Sequence, residues 1–438
     1  MELVSTRDTS RIVSFRNAVL DCIPPDGGLY VPAREEDLRP WIMYMDETTS
    51  FASIAGTLTS ALLREELSPV VCERIAATAF SGMNPELHQL DDRLFSLELY
   101  HGPTGCHKDF GFSWFASALE HLLIMDDREA VVLAATGGVT GRSLAAAFAG
   151  KKRLKLVLAY ARGTLAGLDQ ECLAWNGGNI WPVEIDGDLA TAQNLVRFMY
   201  SDPELVRRYG LTLANTMNIG RLLPQVFFYM YAFTRIRRQV RGDIFYAVPS
   251  GNFGNLVAGL YAWKFSLPVN GFITDATPSL SCDASGRCLC MDSVVPLGKR
   301  GPADPASPSN LERLEQVFAV NPMILRGLVF PAEIPPGDVP GHMFSFYKKY
   351  GKTVDSAAAS AYGAIYAATE RVNADDGTAI LVSKDHPAFE ADKIRMACGV
   401  APGLPPSLAR AKDAVPGAMR ISAERAALEA ILERVASL

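Results

Sequence analysis

Short apolar runs alternate with longer helical patterns through the middle of the chain. Runs rich in Val, Ile and Leu occupy residues 130–135, 154–160, 243–248 and 269–274. Several of these runs lead directly into a glycine-rich turn and then into a helix of small residues. Continuous apolar runs of this length are typical of strands buried on both faces, and strands that alternate with helices form parallel sheets. The pattern therefore predicts an α/β fold.

Two stretches outside these units have patterns of their own. Residues 331–341, PAEIPPGDVPG, are rich in proline and predict a connecting loop. Residues 421–438 repeat Ala, Leu and Ile at helical spacing, which predicts a C-terminal helix that covers part of the fold.

Composition narrows the class of protein. The 438 residues suffice for two or three domains with a large buried core. Hydrophobic residues make up 49% and charged residues 21%, which is ordinary for a globular protein. The net charge of -6 argues against a surface for nucleic acids, since such a surface needs excess positive charge. We therefore expect no nucleic-acid partner.

The sequence lacks the patterns of export and membrane insertion. The first residues, MELVSTRDTSR, are polar and charged, so they do not form the apolar core of a signal peptide. The nearest candidate for a membrane span, LLPQVFFYMYAF, is shorter than the about 18 apolar residues that a spanning helix needs. We expect a cytoplasmic protein with reduced thiols and no membrane partner.

Three of the eight cysteines, Cys282, Cys288 and Cys290, lie close together in the sequence. A metal site is one interpretation of such a group. Their spacing lacks the paired C-x-x-C motif of zinc sites, and no histidine lies near them in the sequence. We expect no metal site.

The segment PSGNFGN, residues 249–255, joins a predicted strand to a predicted helix at 256–265. Its glycines allow a tight turn that brings backbone N–H groups towards one point, and the helix adds the positive end of its dipole. The segment suits a phosphate dianion, although a plain strand-to-helix turn has the same pattern. The candidate phosphate-binding residues are Ser250, Gly251, Asn252, Phe253, Gly254 and Asn255.

A second glycine-rich segment, TGGVTG at residues 136–141, also follows a predicted strand and precedes a predicted helix. Its hydroxyl and N–H groups suit a carboxylate or a second phosphate. A Rossmann pyrophosphate loop is the alternative, but the glycines do not form G-x-G-x-x-G and no acidic residue closes the next strand. The candidate ligand-binding residues are Thr136, Gly137, Gly138 and Thr140.

Two further segments carry candidate charged groups. Lys108 begins a predicted helix in HGPTGCHKDFG, and burial there would favour its neutral, nucleophilic form; a single lysine is also a common surface residue. Arg221 lies in LANTMNIGR, where its guanidinium can clamp a phosphate or carboxylate together with Asn215, Thr216 and Asn218. Helix capping by an asparagine, with an exposed arginine, is the alternative there.

These four segments, in this order, resemble the threonine synthase family, whose members are fold-type-II enzymes that depend on pyridoxal 5′-phosphate (PLP). HGPT-x-x-x-KDFG resembles the family's cofactor-lysine motif, PSGNFGN-(x)3-GL its PLP-phosphate loop, and NTMNIGRLLPQ a stretch of its substrate-phosphate site. The N-terminal VSFRNAVLDCIPPDGGLYVP and the late His386-Pro387-Ala388 are also similar. The resemblance covers nearly the whole chain.

The resemblance implies a fold like that of the tryptophan synthase β subunit, with two α/β domains and the active site between them. We expect an N-terminal extension at residues 1–98 and a smaller α/β domain at 99–240 that carries the cofactor lysine. A larger α/β domain at 241–438 would carry the phosphate loop and the C-terminal helices. The protein is expected to be a monomer or a homodimer.

The resemblance also implies a reaction. A lyase of this family holds PLP on its lysine, here Lys108, as a Schiff base, and eliminates phosphate from O-phospho-L-homoserine. Water then adds at Cβ to give L-threonine. Lys108 would shuttle protons, Thr140 would lie over the reacting carbons, and residues 251–254 would hold the cofactor's phosphate. Thr216 and Arg221 would bind the phosphate of the substrate.

Several residues depart from the family pattern. Gly137 stands where the family has a serine that helps to bind the α-carboxylate, and Val139 where it has an Asp or Asn near the PLP 3′-oxygen. The hydrogen bond lost at Val139 is worth about 1–3 kcal/mol. His107 replaces an apolar residue and is a candidate acid or base. In VSKDHPA, Ser383 is the expected partner of the pyridine nitrogen after a one-residue shift, since Lys384 is a poor partner for it.

These departures leave three hypotheses. The leading one is a threonine-synthase-like lyase that acts on O-phospho-L-homoserine or a close γ-activated analogue. The second is a homologue of specialised metabolism that carries out γ-elimination, replacement or desaturation on a modified amino acid, such as a phosphonate. The third is a non-catalytic homologue that binds PLP or another ligand. In both enzyme hypotheses the partner is a small anionic amino acid.

Overall fold

The computed structural model describes residues 1–283, 288–290, 296–320, 323, 326–374 and 376–437. The strands are β1 Glu2–Ser5, β2 Val13–Ser14, β3 Tyr30–Pro32, β4 Glu86–Asp91, β5 Leu94–Glu98, β6 Ala130–Thr136, β7 Leu154–Ala161, β8 Ile180–Ile185, β9 Leu211–Thr212, β10 Ile244–Ala247, β11 Gly271–Asp275, β12 Leu280–Cys282, β13 Cys288–Cys290, β14 Val329–Ala332, β15 Thr378–Ser383 and β16 Met419–Ile421. The helices are α1 Phe15–Asp21, α2 Arg39–Tyr44, α3 Phe51–Leu63, α4 Pro69–Ala79, α5 Lys108–Met125, α6 Val139–Phe148, α7 Leu189–Ser201, α8 Pro203–Tyr209, α9 Ile219–Leu222, α10 Val226–Ile236, α11 Gly254–Lys264, α12 Leu311–Val320, α13 Val339–Tyr350, α14 Ser356–Ala367, α15 Thr369–Ala374, α16 Ala391–Cys398 and α17 Arg425–Ala436.

The first large sheet has five parallel strands in the order β16-β8-β7-β6-β9. Successive side chains of a strand point to opposite faces, and here both faces are covered. Val157 of β7 belongs to a hydrophobic cluster with α7 and α17. Its neighbours Leu156 and Leu158 belong to the main core with α5 and α6. Burial on both faces explains why this strand is almost entirely apolar, with Lys155 as its one charged residue.

The second large sheet has six strands in the order β14-β11-β10-β15-β5-β4. Neighbouring strands are parallel, except for the antiparallel pair β4 and β5. Side chains of α11 cover one face of this sheet within the main core. Side chains of α13 and α14 cover the other face.

The N-terminal part of the chain forms an antiparallel sheet of β1, β2 and β3, followed by α3 and α4, which pack next to α5. Three rings join α3, α5 and α10: the centroid of Phe110 lies 5.6 Å from that of Phe51 and 5.4 Å from that of Phe228. Phe51 and Phe228 are themselves 5.9 Å apart. Aromatic pairs at these distances stabilise one another, so this cluster fixes the N-terminal end of α5.

The apolar runs of the sequence are confirmed as β6, β7, β10 and β11, and the C-terminal helix is confirmed as α17. Residue 438 of the predicted helix lies outside the described residues. The predicted loop at 331–341 is wrong at both ends. Pro331 lies in β14, which pairs with β11 alone among the described strands, and Pro340 lies in the first turn of α13. Proline is tolerated at both positions because its missing N–H breaks no required hydrogen bond there.

Each large sheet also takes a strand from a distant part of the chain. Strands β4 and β5 come from residues 86–98, yet they extend the six-stranded sheet beside β15. Strand β16 comes from residues 419–421 and extends the five-stranded sheet beside β8. The domain boundaries at 98 and 240 remain predictions. Within the described residues, every helix is too short or too polar to cross a bilayer.

Candidate active site

A cavity of about 470 Å³ lies beside the carboxyl ends of β6, β10 and β15, and it is therefore lined from both large sheets. Crevices at the carboxyl ends of parallel strands are the usual ligand sites of α/β proteins. The first turns of α5 and α6 complete its wall. Its charged lining residues are Lys108, Arg221, Lys384 and Asp385.

Lys108 is the first residue of α5, and its Nζ donates a hydrogen bond of 3.1 Å to Oγ1 of Thr140, in the first turn of α6. The structure thus brings together the two residues predicted to be catalytic. The neighbouring Asp109 is buried and accepts hydrogen bonds from the backbone and hydroxyl of Thr104 and from the hydroxyl of Ser143. This carboxylate ties the beginning of α5 to α6.

The segment at 136–141 forms the turn into α6. Thr136 Oγ1 accepts hydrogen bonds from the backbone N–H groups of Gly138, at 3.2 Å, and Gly141, at 2.9 Å. Gly138 has a φ of 140°, which residues with a side chain rarely adopt. Gly137 and Thr140 line the cavity. The beginning of this ten-residue helix, with the positive end of its dipole, suits a carboxylate.

The segment at 249–255 turns between β10 and α11. Asp275 accepts hydrogen bonds from the N–H of Ser250, at 2.8 Å, and from its hydroxyl, at 2.7 Å. Gly251 and Phe253 have left-handed φ values of 48° and 62°. Left-handed residues in a short turn direct backbone N–H groups towards a common point, as anion-binding turns do.

Two asparagines of this turn face the cavity. Asn252 Oδ1 accepts a hydrogen bond of 3.1 Å from the N–H of Gly254, so its side chain stabilises the turn itself. The Nδ2 of Asn255 is buried and has no hydrogen-bond partner among the described residues. A buried donor without a partner is uncommon and indicates a position where a ligand or water binds.

Arg221 lies in α9 with 2% of its surface exposed. Its guanidinium stacks on Phe112, 4.4 Å from the ring centroid, and its Nε and Nη1 lack hydrogen-bond partners in the described part of the chain. Burial lowers the pKa of Arg221 to about 10, so it remains a cation at neutral pH. A buried cation without a partner is costly, and an anionic ligand would remove that cost.

The three polar residues predicted to accompany Arg221 have different roles. Asn218 caps α9 and donates to backbone carbonyls of Val19 and Leu213, so it is structural. Asn215 and Thr216 line the cavity. Nδ2 of Asn215 donates to the carbonyl of Pro305 at 2.7 Å. The hydroxyl of Thr216 accepts hydrogen bonds from Asn252 at 3.3 Å and from Asn310 at 2.9 Å, which joins this segment to the 249–255 turn.

Ser383 and Lys384 lie at the end of β15 but differ in their surroundings. The hydroxyl of Ser383 is buried, has no hydrogen-bond partner among the described residues, and is not part of the cavity lining. Lys384 does line the cavity. The role of Ser383 at the pyridine nitrogen stays a prediction.

The sequence reasoning did not identify Asp385 or Gln225, which also line the cavity. Backbone contacts place Asp385 beside the segment before Lys108. The N–H of His107 donates to the carbonyl of Lys384 at 2.7 Å, and Cys106 and Asp385 form an antiparallel bridge. The sequence contained one indication of a site here, since two charged residues, Lys384 and Asp385, directly follow an apolar strand.

His107 lies in the same cluster, with its Nδ1 3.6 Å from Oδ1 of Asp385. Burial lowers the pKa of His107 to about 4, although Asp385 opposes this shift. Burial alone would raise the pKa of Asp385, but the interaction with His107 holds it below its usual value. The histidine is therefore neutral and the aspartate ionised near neutral pH.

The three neighbouring cysteines lie on the ribbon of β12 and β13, where Cys282 faces Cys288. In the described residues, two groups of three metal-ligating side chains have their ligand atoms within 4.8 Å of one another, and neither includes Cys282, Cys288 or Cys290.

Comparison with known proteins gives three findings. Residues 2–80 match the family model "Threonine synthase N terminus". Threonine synthase from Escherichia coli (strain K12) is 30% identical over 440 residues, which cover 99% of each chain. The solved structure of threonine synthase from Escherichia coli superposes with a TM-score of 0.79 at 29% identity, over 99% of this chain and 100% of that one. PLP-bound threonine synthase from Brucella melitensis has the same fold, with a TM-score of 0.84 at 23% identity over 100% of both chains.

Proposed function

Because the chain belongs to the threonine synthase family, we propose that it is a PLP-dependent lyase that eliminates phosphate from O-phospho-L-homoserine and adds water at Cβ to give L-threonine. The presence of Lys108 and Arg221 in one cavity carries this proposal. This reaction requires an amine that holds the cofactor and a cation that binds the substrate's phosphate. Lys108 offers the amine, and Arg221 offers a buried guanidinium that lacks an anionic partner in the described structure.

The residues of the cavity fit PLP. Lys108 offers a primary amine for the aldehyde, and the turn at 249–255 has the backbone form that suits its phosphate. Asn255 Nδ2 is a buried donor in the same wall that still lacks an acceptor in the described structure. A bound cofactor therefore satisfies groups that the folded chain leaves without partners.

When bound, PLP supplies an electron sink for negative charge that develops next to the substrate's amino group. The amine of Lys108 accepts and returns protons at the substrate carbons, and the hydroxyl of Thr140, 3.1 Å away, orients it. The N–H groups at the start of α6 bind the substrate's carboxylate. Arg221 binds the phosphate of the substrate. It also stabilises the negative charge that develops on this phosphate as the group leaves.

The first test is phosphate release and threonine formation from O-phospho-L-homoserine by the purified holoenzyme. The wild type is expected to form both products in equal amounts. Lys108→Ala is expected to lose both products and the visible absorption of lysine-bound PLP, whereas Lys152→Ala, which changes an exposed lysine, is expected to lose neither. A wild-type protein that binds PLP but releases no phosphate from this substrate would contradict the proposal.

A second variant separates substrate binding from cofactor binding. Arg221→Lys keeps the positive charge but removes the planar fork that binds two oxygens. We expect kcat/KM to fall about tenfold to a hundredfold, because hydrogen bonds to charged groups contribute about 1.5–3 kcal/mol. PLP affinity should stay the same. Equal loss of PLP affinity would show that Arg221 belongs to the cofactor site instead.

A homologue that acts on a modified amino acid, such as a phosphonate, is the second candidate, and one observation favours it. Gly137 lines the cavity without a hydroxyl, and a Cβ there would meet only Leu189, at 3.5 Å. The wall is therefore more open and less polar than a serine would make it. Phosphonate and sulfonate analogues, compared with O-phospho-L-homoserine at equal concentration, decide between the candidates through their kcat/KM values.

A further inference from the structure

Lys384 is a second buried lysine in the cavity, and the proposed reaction does not use it. It directly follows β15, at the carboxyl edge of the six-stranded sheet. Its Nζ donates a long hydrogen bond of 3.4 Å to the carbonyl of Pro249. The same Nζ is 3.2 Å from the position that a Cβ on Gly251 would take. The end of this side chain therefore lies against the 249–255 turn.

The charge of Lys384 is poorly compensated by the chain itself. Within the described residues, the ion pairs closer than 4.0 Å do not include Lys384. Burial lowers its pKa; Asp385, Asp355 and Asp275 oppose this shift, and Lys108 adds to it. One long hydrogen bond to a carbonyl is little compensation for a buried ammonium group. An anionic ligand at this position would supply the missing partner.

The side chain of Lys384 lies next to the place that the cofactor would occupy. The carbonyl oxygen of Lys384 accepts a hydrogen bond of 2.7 Å from the N–H of His107, the residue before Lys108. Its Nζ lies at Gly251, in the turn that suits a phosphate. A PLP molecule held by Lys108 at its aldehyde and by this turn at its phosphate joins the same two places. Lys384 therefore runs alongside it.

We propose that Lys384 is a cofactor-binding residue whose ammonium group donates a hydrogen bond to the PLP phosphate held by the 249–255 turn. This inference rests on the proposed function, because it requires PLP in this cavity. It assigns a cation to a turn whose other contributions to phosphate binding are uncharged donors and a helix dipole. Lys384 is then a further determinant of cofactor affinity.

The test is a titration of the apoprotein with PLP. Lys384→Met keeps the length and apolar stem of the side chain and removes the charge; Lys152→Met is the control at an exposed lysine. The dissociation constant of Lys384→Met is expected to rise about tenfold to a hundredfold, in line with a hydrogen bond between charged groups. The phosphorus-31 resonance of bound PLP should move relative to the wild type. Lys384→Arg should recover part of the affinity.

The outcomes are distinguishable. An unchanged dissociation constant and phosphorus resonance in Lys384→Met overturn the inference. A changed visible absorption with an unchanged phosphorus resonance also overturns it, because the contact would then be to the pyridine ring. Should Lys384→Met not fold, as judged by circular dichroism, Lys384→Gln takes its place. A wild-type protein without affinity for PLP would remove the proposed function itself, whereas failure of the Lys384 variants alone leaves that function intact.

Discussion

His107 is kept in its neutral form by burial, and it directly precedes Lys108 in the chain. Its ring lies 3.6 Å from the carboxylate of Asp385, and the cations Lys384 and Lys108 oppose its protonation. An unhindered histidine takes up a proton near pH 6.5, but the pKa of His107 is about 4. His107 therefore takes up a proton at a higher pH in the unfolded chain than in the folded protein. This difference links the free energy of unfolding to pH.

We expect the free energy of unfolding to decrease as the pH falls from about 6.5 to about 4. The unfolded state binds the proton first over this range, and the contribution of His107 is about 2–3 kcal/mol. Denaturant unfolding of the wild type and of His107→Gln, at neutral pH and at about pH 4.5, measures it. The variant should lose less stability between the two conditions. Equal losses would show that burial does not suppress protonation of His107.

Residue types within short motifs predicted Lys108, Thr140 and Arg221 as site residues, and the structure places all three in the wall of one cavity. The cluster of His107 and Asp385 could not be predicted in the same way. The two residues meet through a backbone bridge between segments that lie far apart in the sequence, and no local pattern encodes such a pairing. Long-range contacts of this kind are decided by the packing of the whole sheet.

At the scale of elements, α5 connects the proposed cofactor lysine with the proposed substrate-binding arginine. The helix begins with Lys108, and its next turn contains Gly111, against which the guanidinium of Arg221 lies. A Cβ on Gly111 would come within 2.5 Å of Cζ of Arg221, which is fully enclosed and has little room to move. Glycine here allows close approach of a cation to a helix, at a cost in helix propensity.

Gly111→Ala is expected to displace Arg221 and leave PLP binding intact. The value of kcat/KM for the phosphorylated substrate should fall at least about tenfold, since a misplaced hydrogen-bonding cation loses 1.5 kcal/mol or more. Gly341→Ala is the control: it lies in α13 with open space around it, so it should stabilise the protein by up to about 1 kcal/mol without changing activity. An active Gly111→Ala enzyme would contradict the position assigned to Arg221.

Strands were the elements best predicted from the sequence, because burial on both faces leaves a nearly continuous apolar run, as in β6 and, apart from Lys155, in β7. Proline gave the wrong boundaries at 331–341. Proline lacks an N–H group, but an edge strand and the first turn of a helix do not need that group for a hydrogen bond. Which strand lies at an edge is decided only when the sheet assembles, so the sequence alone does not show it.

At the scale of the whole molecule, the active-site cavity takes its wall from both large sheets. A ligand in this cavity contacts groups that lie together only when both sheets have formed. Binding to the native state alone raises the free energy of unfolding by about 2.7 kcal/mol when the free ligand is at a hundred times its dissociation constant.

We expect the melting temperature to rise with PLP concentration, as measured by thermal unfolding of the apoprotein across a titration of the cofactor. Lys108→Ala should show a smaller rise, because it keeps the phosphate turn but loses the amine. A melting temperature independent of PLP in the wild type would mean that the cofactor does not bind preferentially to the folded protein.

The order of the strands has a consequence for biosynthesis. A ribosome makes β8 long before it makes β16, the strand that covers the outer edge of β8 in the five-stranded sheet. Until β16 emerges, the N–H and C=O groups along that edge are available to any other extended chain. Pairing of this edge with another chain can therefore compete with completion of the fold until β16 has been made.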